Sequence, residues 1–236
     1  MRPLCLVPAR GGSKRFPRKN VAALHGKPLL AYTVEAGLES GLFDEVLVST
    51  DDEEIAAVAR RYGGTVPSLR AAEYATDTAR IVHVCLHTLD LLEAQGRVYD
   101  TLCVLQPTCP LRTAADIREA WSLFESSRAP FLLSVTTFEH PPFWALARDA
   151  DGRLRPVYGP DALLRSQDLP EVVRPNGAIA LARVDALRRE RTFYGAGMVG
   201  FLMPRLRSFD IDEPDDLPLV EFVMEREALV GRDAGR

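Results

Sequence analysis

Leu4-Cys5-Leu6-Val7-Pro8-Ala9-Arg10-Gly11-Gly12-Ser13-Lys14-Arg15-Phe16-Pro17-Arg18-Lys19-Asn20 is the segment from which the fold can be predicted. It begins as the apolar run of a buried strand and continues as a loop with two glycines and five Lys or Arg residues. Backbone N–H groups and cations arranged in this way bind polyphosphates. Because open α/β sheets bind ligands at the carboxyl ends of their strands, the loop indicates a nucleoside triphosphate site rather than a solvated surface.

Two common nucleotide-binding patterns are absent from this loop. Gly11 and Gly12 lie too close to Lys14 for the pattern Gly-x-x-x-x-Gly-Lys-Ser/Thr, and no Gly-x-Gly-x-x-Gly follows the strand. The sequence therefore argues against a P-loop ATPase and against a nicotinamide-dependent oxidoreductase.

Beyond the loop, apolar runs alternate with segments of helical periodicity. Strands are predicted at 4–7, 46–49, 102–105 and 131–135. Helices are predicted at 28–39, 53–62, 78–94 and 114–126, with Asp51 or Asp52 and Thr113 as N-caps. Strands separated by helices form right-handed βαβ units. We therefore predict an α/β fold, a three-layer sandwich around a mostly parallel, Rossmann-like sheet.

The alternation stops at residue 138. From there to about 175 the sequence is rich in Pro, Gly and Arg, and a loop longer than about 15 residues is commonly functional or an insertion. A short strand at 178–181, an apolar run at 198–203 and a closing helix at 214–229 follow. At 236 residues the chain could form one large domain or two small ones, and we predict one domain over residues 1–236, with 138–175 inserted in it.

The composition is that of an ordinary water-soluble globular protein. The 236 residues are 47% hydrophobic and 26% charged, and the formal net charge is −4. An acidic chain gives no reason to expect nucleic acid or an anionic membrane as a partner. No run approaches the roughly 20 apolar residues of a membrane span, and the first residues are too few for a signal peptide. We expect a cytoplasmic protein.

Cysteine and histidine patterns do not indicate a metal site. The four cysteines lack a Cys-x-x-Cys spacing, and Cys5 and Cys103 stand in apolar runs typical of small buried side chains. His83 and His87 have the i, i+4 spacing of helical metal ligands, but no third ligand accompanies them. We expect both histidines to have packing or surface roles.

The loop at 8–20 resembles the nucleotide loop of the N-acylneuraminate (sialic acid) cytidylyltransferases, which make CMP-nonulosonates from CTP. Four further blocks follow in the order found in that family. They are Ser-Thr-Asp-Asp-Glu at 49–53, Leu-Gln-Pro-Thr-Cys-Pro-Leu-Arg at 105–112, Arg-Pro-Asn-Gly-Ala-Ile at 174–179 and Asp-Ile-Asp at 210–212. Five blocks in order span nearly the whole chain, so the chain is identified as a member of this family.

The resemblance implies the fold of the nucleotide-diphospho-sugar transferases and the transfer of CMP from CTP to a nonulosonic acid. Two alternatives remain open: a cytidylyltransferase for an eight-carbon ulosonate or other acidic sugar, and a regulatory module that binds a nucleotide without turnover. Retention of Lys19, Asp210 and Asp212 argues against the regulatory module. The resemblance also implies a homodimer in which residues 138–175 form a dimerisation arm.

CMP transfer places charge on phosphate oxygens, so it needs cations and positioning more than a covalent nucleophile. The resemblance assigns nucleotide binding to Arg10, Gly11, Gly12, Ser13, Lys14, Asn20, Arg70 and Asp77. The cations with a catalytic role are Arg10, Lys14 and Lys19. Arg15 and Arg18 are interpreted as surface charges.

Asp210 and Asp212 are the predicted metal ligands and are counted among the catalytic residues. In a strand-like Phe-Asp-Ile-Asp segment, alternate residues point to one face, so the carboxylates converge while Ile211 faces the core. Hard oxygen ligands at a phosphate site suit Mg²⁺, the expected cofactor. The alternative interpretation is a solvated acidic turn, since three more acidic residues follow: Glu213, Asp215 and Asp216.

The resemblance assigns the binding of the acid sugar to four residues: Gln106, Arg165, Arg174 and Asn176. It also implies that Arg165 enters the neighbouring subunit's site. An arginine pair suits the carboxylate beside the anomeric carbon of a nonulosonate. At one position the chain departs from the family, because Ala180 replaces the usual tyrosine. A missing ring would enlarge the sugar pocket or change the recognition of its acyl group, and Phe193 and Tyr194 are candidates for the missing aromatic surface.

Overall fold

The computed structural model describes residues 2–76, 78–159 and 164–233. The strands are β1 (Pro3–Pro8), β2 (Ala23–Leu24), β3 (Lys27–Pro28), β4 (Val46–Ser49), β5 (Thr101–Val104), β6 (Phe131–Thr137), β7 (Leu146–Arg148), β8 (Leu154–Pro156), β9 (Val173–Arg183) and β10 (Val199–Leu202). The helices are α1 (Leu29–Glu39), α2 (Glu53–Arg61), α3 (Ile81–Ala94), α4 (Ala114–Ser127), α5 (Val184–Glu190) and α6 (Asp216–Asp233).

Six strands form the central sheet in the order β10-β6-β9-β5-β1-β4. β1 pairs in parallel with β4 and β5, and β10 pairs in parallel with β6. β9 lies between β5 and β6 and is antiparallel to both. The predicted mostly parallel sheet is therefore confirmed, although the reversed direction of β9 was not anticipated.

β9 is longer than the strand predicted at 178–181. It begins at Val173, within the last residues of the predicted insertion, and pairs with β6 from Val173 to Ala182, while its last residues also pair with β5. A chain that returns without a crossover helix pairs antiparallel to the strand it left. The pairing with β6 shifts register between Leu133 and Val135, and this irregularity lies beside Asn176.

Helices cover both faces of the sheet. On β1, Cys5 and Val7 pack with the helix layer of α1, α2 and α4, while Leu4 and Leu6 pack with α3 and α5. All four side chains are fully buried, as period-2 alternation with apolar residues on both faces predicts. The three-layer arrangement is thus confirmed.

Two predicted N-caps are confirmed. Asp52 Oδ1 accepts a hydrogen bond from the Ile55 backbone N–H at 3.0 Å at the start of α2. Thr113 and Asp116 form a capping box at the start of α4. These caps begin helices directly after β4 and after the loop that follows β5, so they help to shape the edge where the strands end.

The insertion between β6 and β9 contains the hairpin of β7 and β8. Trp144 Nε1 donates to the Leu164 carbonyl at 2.9 Å and ties two parts of the insertion together. Apolar side chains nevertheless remain exposed on and next to the hairpin: Leu146, Leu154, Val157 and Tyr158. The insertion therefore carries apolar surface that this single chain leaves uncovered.

The cysteines and one histidine behave as predicted. All four cysteines are free and buried, and burial raises the pKa of Cys85 and Cys109 to about 12. The His87 ring stacks on Tyr74 with centroids 4.0 Å apart. Within residues 2–76, 78–159 and 164–233, no helix has the length and apolarity needed to cross a bilayer.

Candidate active site

The cation-rich loop leaves the carboxyl end of β1 and is held to its neighbours. The Gly11 backbone N–H donates to Asp51 Oδ1 at 3.0 Å, which joins the loop to the end of β4. Asn20 is buried, and its Nδ2 donates to the Arg10 carbonyl at 2.9 Å. Asn20 therefore closes the loop, and Asp51 fixes it against the sheet.

The two glycines have different surroundings. A Cβ atom on Gly11 would lie 2.9 Å from Asp52 Oδ2 and 3.0 Å from Asp52 Cβ, so a larger residue would force the loop or the Asp52 side chain to shift. A Cβ on Gly12 would meet nothing within 4 Å. The open space at Gly12 is where a ligand can approach the backbone.

Lys19 joins the loop to the distant Asp-Ile-Asp segment. Its Nζ donates to the Ile211 carbonyl at 2.7 Å and to Asp212 Oδ1 at 3.1 Å, and only 11% of its side chain is exposed. Arg15 approaches the same carboxylate, with its NH2 atom 2.8 Å from Asp212 Oδ2. Asp212 is thus held by two cations of the loop.

Arg15 is a surface charge, as interpreted from the sequence, but it has a partner that the sequence did not indicate. Its side chain is 63% exposed, and its guanidinium pairs with Asp212, a predicted metal ligand. Nothing in the local sequence separates Arg15 from Arg18, because the partner of each lies far along the chain. Arg18 pairs with Asp52 and Glu54 and binds the outer side of the loop to the start of α2.

A cleft of about 300 Å³ opens between the loop and the end of β5, and we call it the phosphate cavity. It is lined by Pro8, Arg10, Ser13, Lys14, Arg15, Lys19, Asn20, Gln106, Pro107, Thr108 and Asp212. Four cations therefore surround one polar space. Such a cavity suits a polyphosphate, whose charge the guanidinium and ammonium groups can share.

Asp210 and Asp212 flank the fully buried Ile211, as predicted. The segment is not a regular strand, because the Ile211 backbone N–H donates to the Thr108 carbonyl instead of entering a sheet. Asp216 Oδ2 accepts from the backbone N–H of Asp212 at 2.7 Å and fixes the following turn. Asp210 and Asp212 therefore lie on the more exposed side of the segment and Ile211 on its buried side, although the segment is not a strand.

The two carboxylates differ in their protonation energetics. Partial desolvation raises the pKa of Asp210, the nearby Thr108 hydroxyl opposes this, and the charge of Asp212 adds to it. The Asp210 residue nevertheless remains exposed to water. For Asp212, desolvation is outweighed by the hydrogen bonds and charges of Lys19 and Arg15, which hold its pKa below the ordinary value.

The negative charges of Asp210 and Asp212 repel each other, and a cation shared between them would relieve this repulsion. Among the described residues, no group of three or more His, Cys, Asp or Glu side chains is arranged to hold a metal ion. Mg²⁺ commonly takes only one or two protein carboxylates and completes its coordination with water and phosphate oxygens. Asp210 and Asp212 therefore fit a magnesium ion that is bound together with a triphosphate.

A second cavity, of about 240 Å³, continues from the first, and we call it the base cavity. It is lined by Pro8, Arg10, Arg70, Tyr74, Thr76, Ala79, Ile81, Val84 and Gln106. The two cavities share Pro8, Arg10 and Gln106 and form one cleft along the strand ends. Sequence reasoning did not anticipate Tyr74, whose ring is held by its stacking on His87.

Arg70 lines the base cavity but its guanidinium is engaged within the protein. Its Nε donates to Ser49 Oγ at 3.0 Å, its NH1 donates to the Tyr74 carbonyl at 3.3 Å, and its NH2 donates to the Ser49 carbonyl. Burial lowers the pKa of Arg70. Arg70 therefore anchors the loop that carries Tyr74 to the end of β4. Asp77, also predicted to bind the nucleotide, lies outside the described residues.

A third, smaller cavity of about 100 Å³ adjoins Gln106, and we call it the apolar cavity. It is lined by Ile81, Val104, Gln106, Leu133, Ser134, Pro175, Gly177, Ile179, Ala180, Phe193 and Tyr194. Ala180 lines its wall, together with the aromatic pair suggested by the sequence. Gln106 therefore lies where the phosphate, base and apolar cavities meet.

Three predicted sugar-binding residues lie outside this cleft in the single chain. Asn176 is buried, and its amide bonds with Ser134 Oγ at 2.6 Å and Ser208 Oγ at 2.9 Å. Arg174 lines a separate cavity of about 390 Å³ next to the insertion. Arg165 is exposed, and its Nε donates to Asp168 at 2.8 Å.

Comparisons with known proteins agree with this geometry. The sequence profile described as "Cytidylyltransferase" matches residues 4–153. The chain is 35% identical to the pseudaminic acid cytidylyltransferase of Campylobacter jejuni subsp. jejuni serotype O:2, over 94% of this chain and 96% of that protein. It is 36% identical to the CMP-N,N'-diacetyllegionaminic acid synthase of Legionella pneumophila subsp. pneumophila, over 98% of this chain and 100% of that protein.

Among solved structures, CMP:2-keto-3-deoxy-manno-octonic acid synthetase complexed with CTP superposes with a TM-score of 0.69. The alignment covers 96% of this chain and 100% of that one at 18% identity, so it shows a shared fold. The sequence matches cover nearly the whole of this chain and of each relative. The chain belongs to the cytidylyltransferase family and is a nucleotidyltransferase of its CMP-nonulosonate synthetase group.

Proposed function

We propose that the protein transfers CMP from CTP to a nonulosonic acid and releases pyrophosphate. The observation that carries this proposal is the meeting of three cavities at Gln106: a cationic one for phosphates, one of nucleoside size, and an apolar one. The direct test is pyrophosphate release from CTP and Mg²⁺ over a panel of nonulosonic and eight-carbon ulosonic acids. A regulatory module would release none with any acceptor. Since CTP is a cytoplasmic metabolite, we place the reaction in the cytoplasm.

The residues of the phosphate cavity perform the electrostatic part of the reaction. A hydroxyl of the acid sugar attacks the α-phosphorus of CTP while pyrophosphate leaves, and negative charge builds up on the phosphate oxygens. Arg10, Lys14 and Lys19 line the cavity in which that charge develops. Cations held in advance lower the barrier because little reorganisation is needed during the reaction.

We propose that Asp210 and Asp212 hold the Mg²⁺ ion in this cleft. The support is their electrostatic coupling, the access of water to Asp210 and the place of Asp212 in the lining of the phosphate cavity. When bound, the ion supplies positive charge to the triphosphate and orients it. Arg15 is the more exposed of the two cations on Asp212, so it is the one expected to move toward a phosphate.

The apolar cavity favours an acid sugar that carries an acylamido group. It lies beside Gln106 and is lined by small residues, Gly177 and Ala180, and by the aromatic residues Phe193 and Tyr194. A cavity of about 100 Å³ accommodates a methyl group with its amide but gives nothing specific to an eight-carbon ulosonate, which lacks one. A relative of 36% identity is named for a diacetylated nonulosonic acid.

Filling the apolar cavity should weaken binding of the acid sugar more than binding of the nucleotide. In Ala180→Tyr, the added ring would occupy space that the acyl group needs, so we expect the KM for the preferred nonulosonic acid to rise about 10-fold. The KM for CTP should change by less than about twofold. Steady-state kinetics with each substrate varied separately measures both values. An unchanged KM for the acid would exclude the apolar cavity as part of its binding site.

CTP should stabilise the protein more than purine nucleotides do. The base cavity holds about 240 Å³, which suits a pyrimidine nucleoside, and stabilisation rises with affinity for the folded state. At a hundredfold excess over Kd we expect the melting temperature to rise by about 5–10 °C with CTP. Equal shifts with CTP, ATP and GTP at equal concentration would remove base selectivity from the proposal and leave the phosphate cavity in place.

We propose that the active form is a homodimer built through the insertion. The support is the exposed apolar surface of the hairpin, together with the positions of Arg165 and Arg174 outside this chain's own cleft. A partner that covers Leu146 and Leu154 would bury apolar area now in water. In that arrangement Arg165 of one subunit serves the cleft of the other.

Two inactive variants should then complement each other. Arg165→Ala removes the cation offered to the partner, and Lys19→Ala disables the chain's own cleft. A mixed dimer contains one cleft with both residues intact, so random exchange should restore about a quarter of wild-type activity. The measurement is pyrophosphate release after subunit exchange verified by mass-tagged chains. Exchange without recovery would mean that each subunit completes its own site.

A further inference from the structure

A buried arginine stands behind the point where the three cavities meet. Arg112, in the loop between β5 and α4, is 2% exposed. Its NH1 donates to the carbonyls of Gln106 at 3.2 Å and Ala178 at 2.9 Å, and its NH2 donates to Thr33 Oγ1 at 2.7 Å. These acceptors belong to three separate segments: the end of β5, the strand β9 and the helix α1.

Burying the Arg112 guanidinium is energetically unfavourable for the protein. Within the described chain no carboxylate forms an ion pair with Arg112, and its Nε has no hydrogen-bond partner. Burial lowers the pKa of Arg112, and the nearby thiols and the charge of Asp116 oppose this shift only in part. Replacing buried charges by apolar side chains of similar volume is often neutral or stabilising, so packing alone does not account for this arginine.

The hydrogen bonds of Arg112 fix the residue that borders all three cavities. The Gln106 carbonyl receives Arg112 NH1 and also Thr33 Oγ1, the latter at 3.4 Å. The bond to Ala178 holds the adjoining part of β9, where a Cβ on Gly177 would lie 3.5 Å from Gln106 Nε2. Both the backbone of Gln106 and the surface beside its side chain therefore depend on one guanidinium.

We propose that Arg112 is a positioning residue that holds the Gln106 amide in place for the acid sugar. The inference rests on the proposed function, because it assumes that Gln106 contacts that substrate. Arg112 does not belong to the lining of the phosphate, base or apolar cavity, so we place its effect in the groups it holds, above all Gln106 and β9. A planar group with several donors can hold acceptors on three segments at once, which a single ammonium group cannot do with the same geometry.

The test is a double-mutant cycle between Arg112→Met and Gln106→Ala. We expect each single variant to lower kcat/KM for the acid sugar about 30-fold, with the KM for CTP changed less than about threefold. The double variant should be no more than about threefold worse than Gln106→Ala, because the amide that Arg112 positions is already gone. Losses that multiply to the full product of both singles would overturn the inference.

Arg183→Met is the matched control. Arg183 also ties β9 to β5, through Thr101, but at the opposite end of the strands, and it joins β9 to α4 through Glu125. It should lower the melting temperature and leave kcat/KM for the acid sugar near wild type. Equal kinetic losses in Arg183→Met and Arg112→Met would reduce Arg112 to a general stabilising role. If Gln106→Ala retains wild-type kinetics with every acid, the role proposed for Gln106 fails first, and this outcome is distinct from failure of the coupling.

A milder variant covers the case in which Arg112→Met does not fold. Thr33→Val keeps the side-chain volume and removes the hydroxyl that accepts from Arg112 and donates to the Gln106 carbonyl. We expect about a 5-fold loss in kcat/KM for the acid sugar, absent in the Gln106→Ala background. The same loss in both backgrounds would contradict the inference.

Discussion

Replacing Asp210 or Asp212 by asparagine should lower turnover at least about 100-fold, which corresponds to roughly 2.7 kcal/mol of barrier. Each change removes one negative charge from the proposed Mg²⁺ site while nearly keeping the side-chain volume. The loss should fall on turnover rather than on folding, because Ile211 remains the buried anchor of the segment. Steady-state pyrophosphate release across an Mg²⁺ titration measures the effect, with thermal unfolding as the control for folding.

Asp215→Asn is the matched variant for this experiment. Asp215 belongs to the same acidic segment and is exposed, so it loses the same charge outside the phosphate cavity. It should keep near wild-type turnover and the same Mg²⁺ dependence. If Asp210→Asn and Asp212→Asn behave like Asp215→Asn, the segment is a solvated acidic turn and the ion is held elsewhere.

Replacing Lys19 by methionine should lower kcat/KM about 1000-fold, or roughly 4 kcal/mol, since two functions of one ammonium group are lost. Lys19 lines the phosphate cavity, and it also joins the loop to the Ile211 carbonyl and to Asp212. Methionine keeps the length of the side chain without the charge. CTP affinity should fall together with turnover, and isothermal titration with CTP separates the two contributions.

Lys27→Met is the control for losing an ion-paired lysine. Lys27 pairs with Glu35 on α1 and lies over the Tyr32 ring, away from the residues that line the phosphate cavity. It should cost at most about 1 kcal/mol of stability and leave the kinetics unchanged. A Lys19→Met variant that binds CTP and turns over like Lys27→Met would show that the phosphate charge is carried by the other cations.

Much of the fold is predictable from the sequence because it follows from local pattern. The apolar runs at 4–7 and 46–49 are strands buried on both faces, and helical periodicity locates the helices between them within a few residues. Asp52 and Thr113 act as caps through side-chain bonds to backbone groups only three residues away. The direction of β9 is different, because it depends on the route of the chain through a long insertion.

In the candidate site, likewise, the sequence indicates some residues, but only the fold shows how they are arranged. The loop and the Asp-Ile-Asp segment resemble sequence blocks of a known family, and this resemblance made Arg10, Lys19 and Asp212 candidate site residues. Their arrangement could not be predicted, since Lys19 and Asp212 are 193 positions apart and meet only after the sheet has formed. The same holds for Arg15, whose partner distinguishes it from the other exposed cations of the loop.

Tertiary structure also decided which polar side chains are used inside the protein. Arg70 and Asn176 belong to segments that the sequence relates to substrate, yet their polar groups are engaged within the protein. Arg70 donates to Ser49, and the Asn176 amide accepts from Ser134 and donates to Ser208. The sequence shows Arg112 only as the last residue of the block at 105–112 and assigns it no role. In the folded protein Arg112 is buried and donates to the Gln106 carbonyl. The sequence by itself determined which chemical groups are present and which local elements carry them. Only folding set their neighbours, because burial and hydrogen-bond partners depend on contacts between segments far apart in the chain.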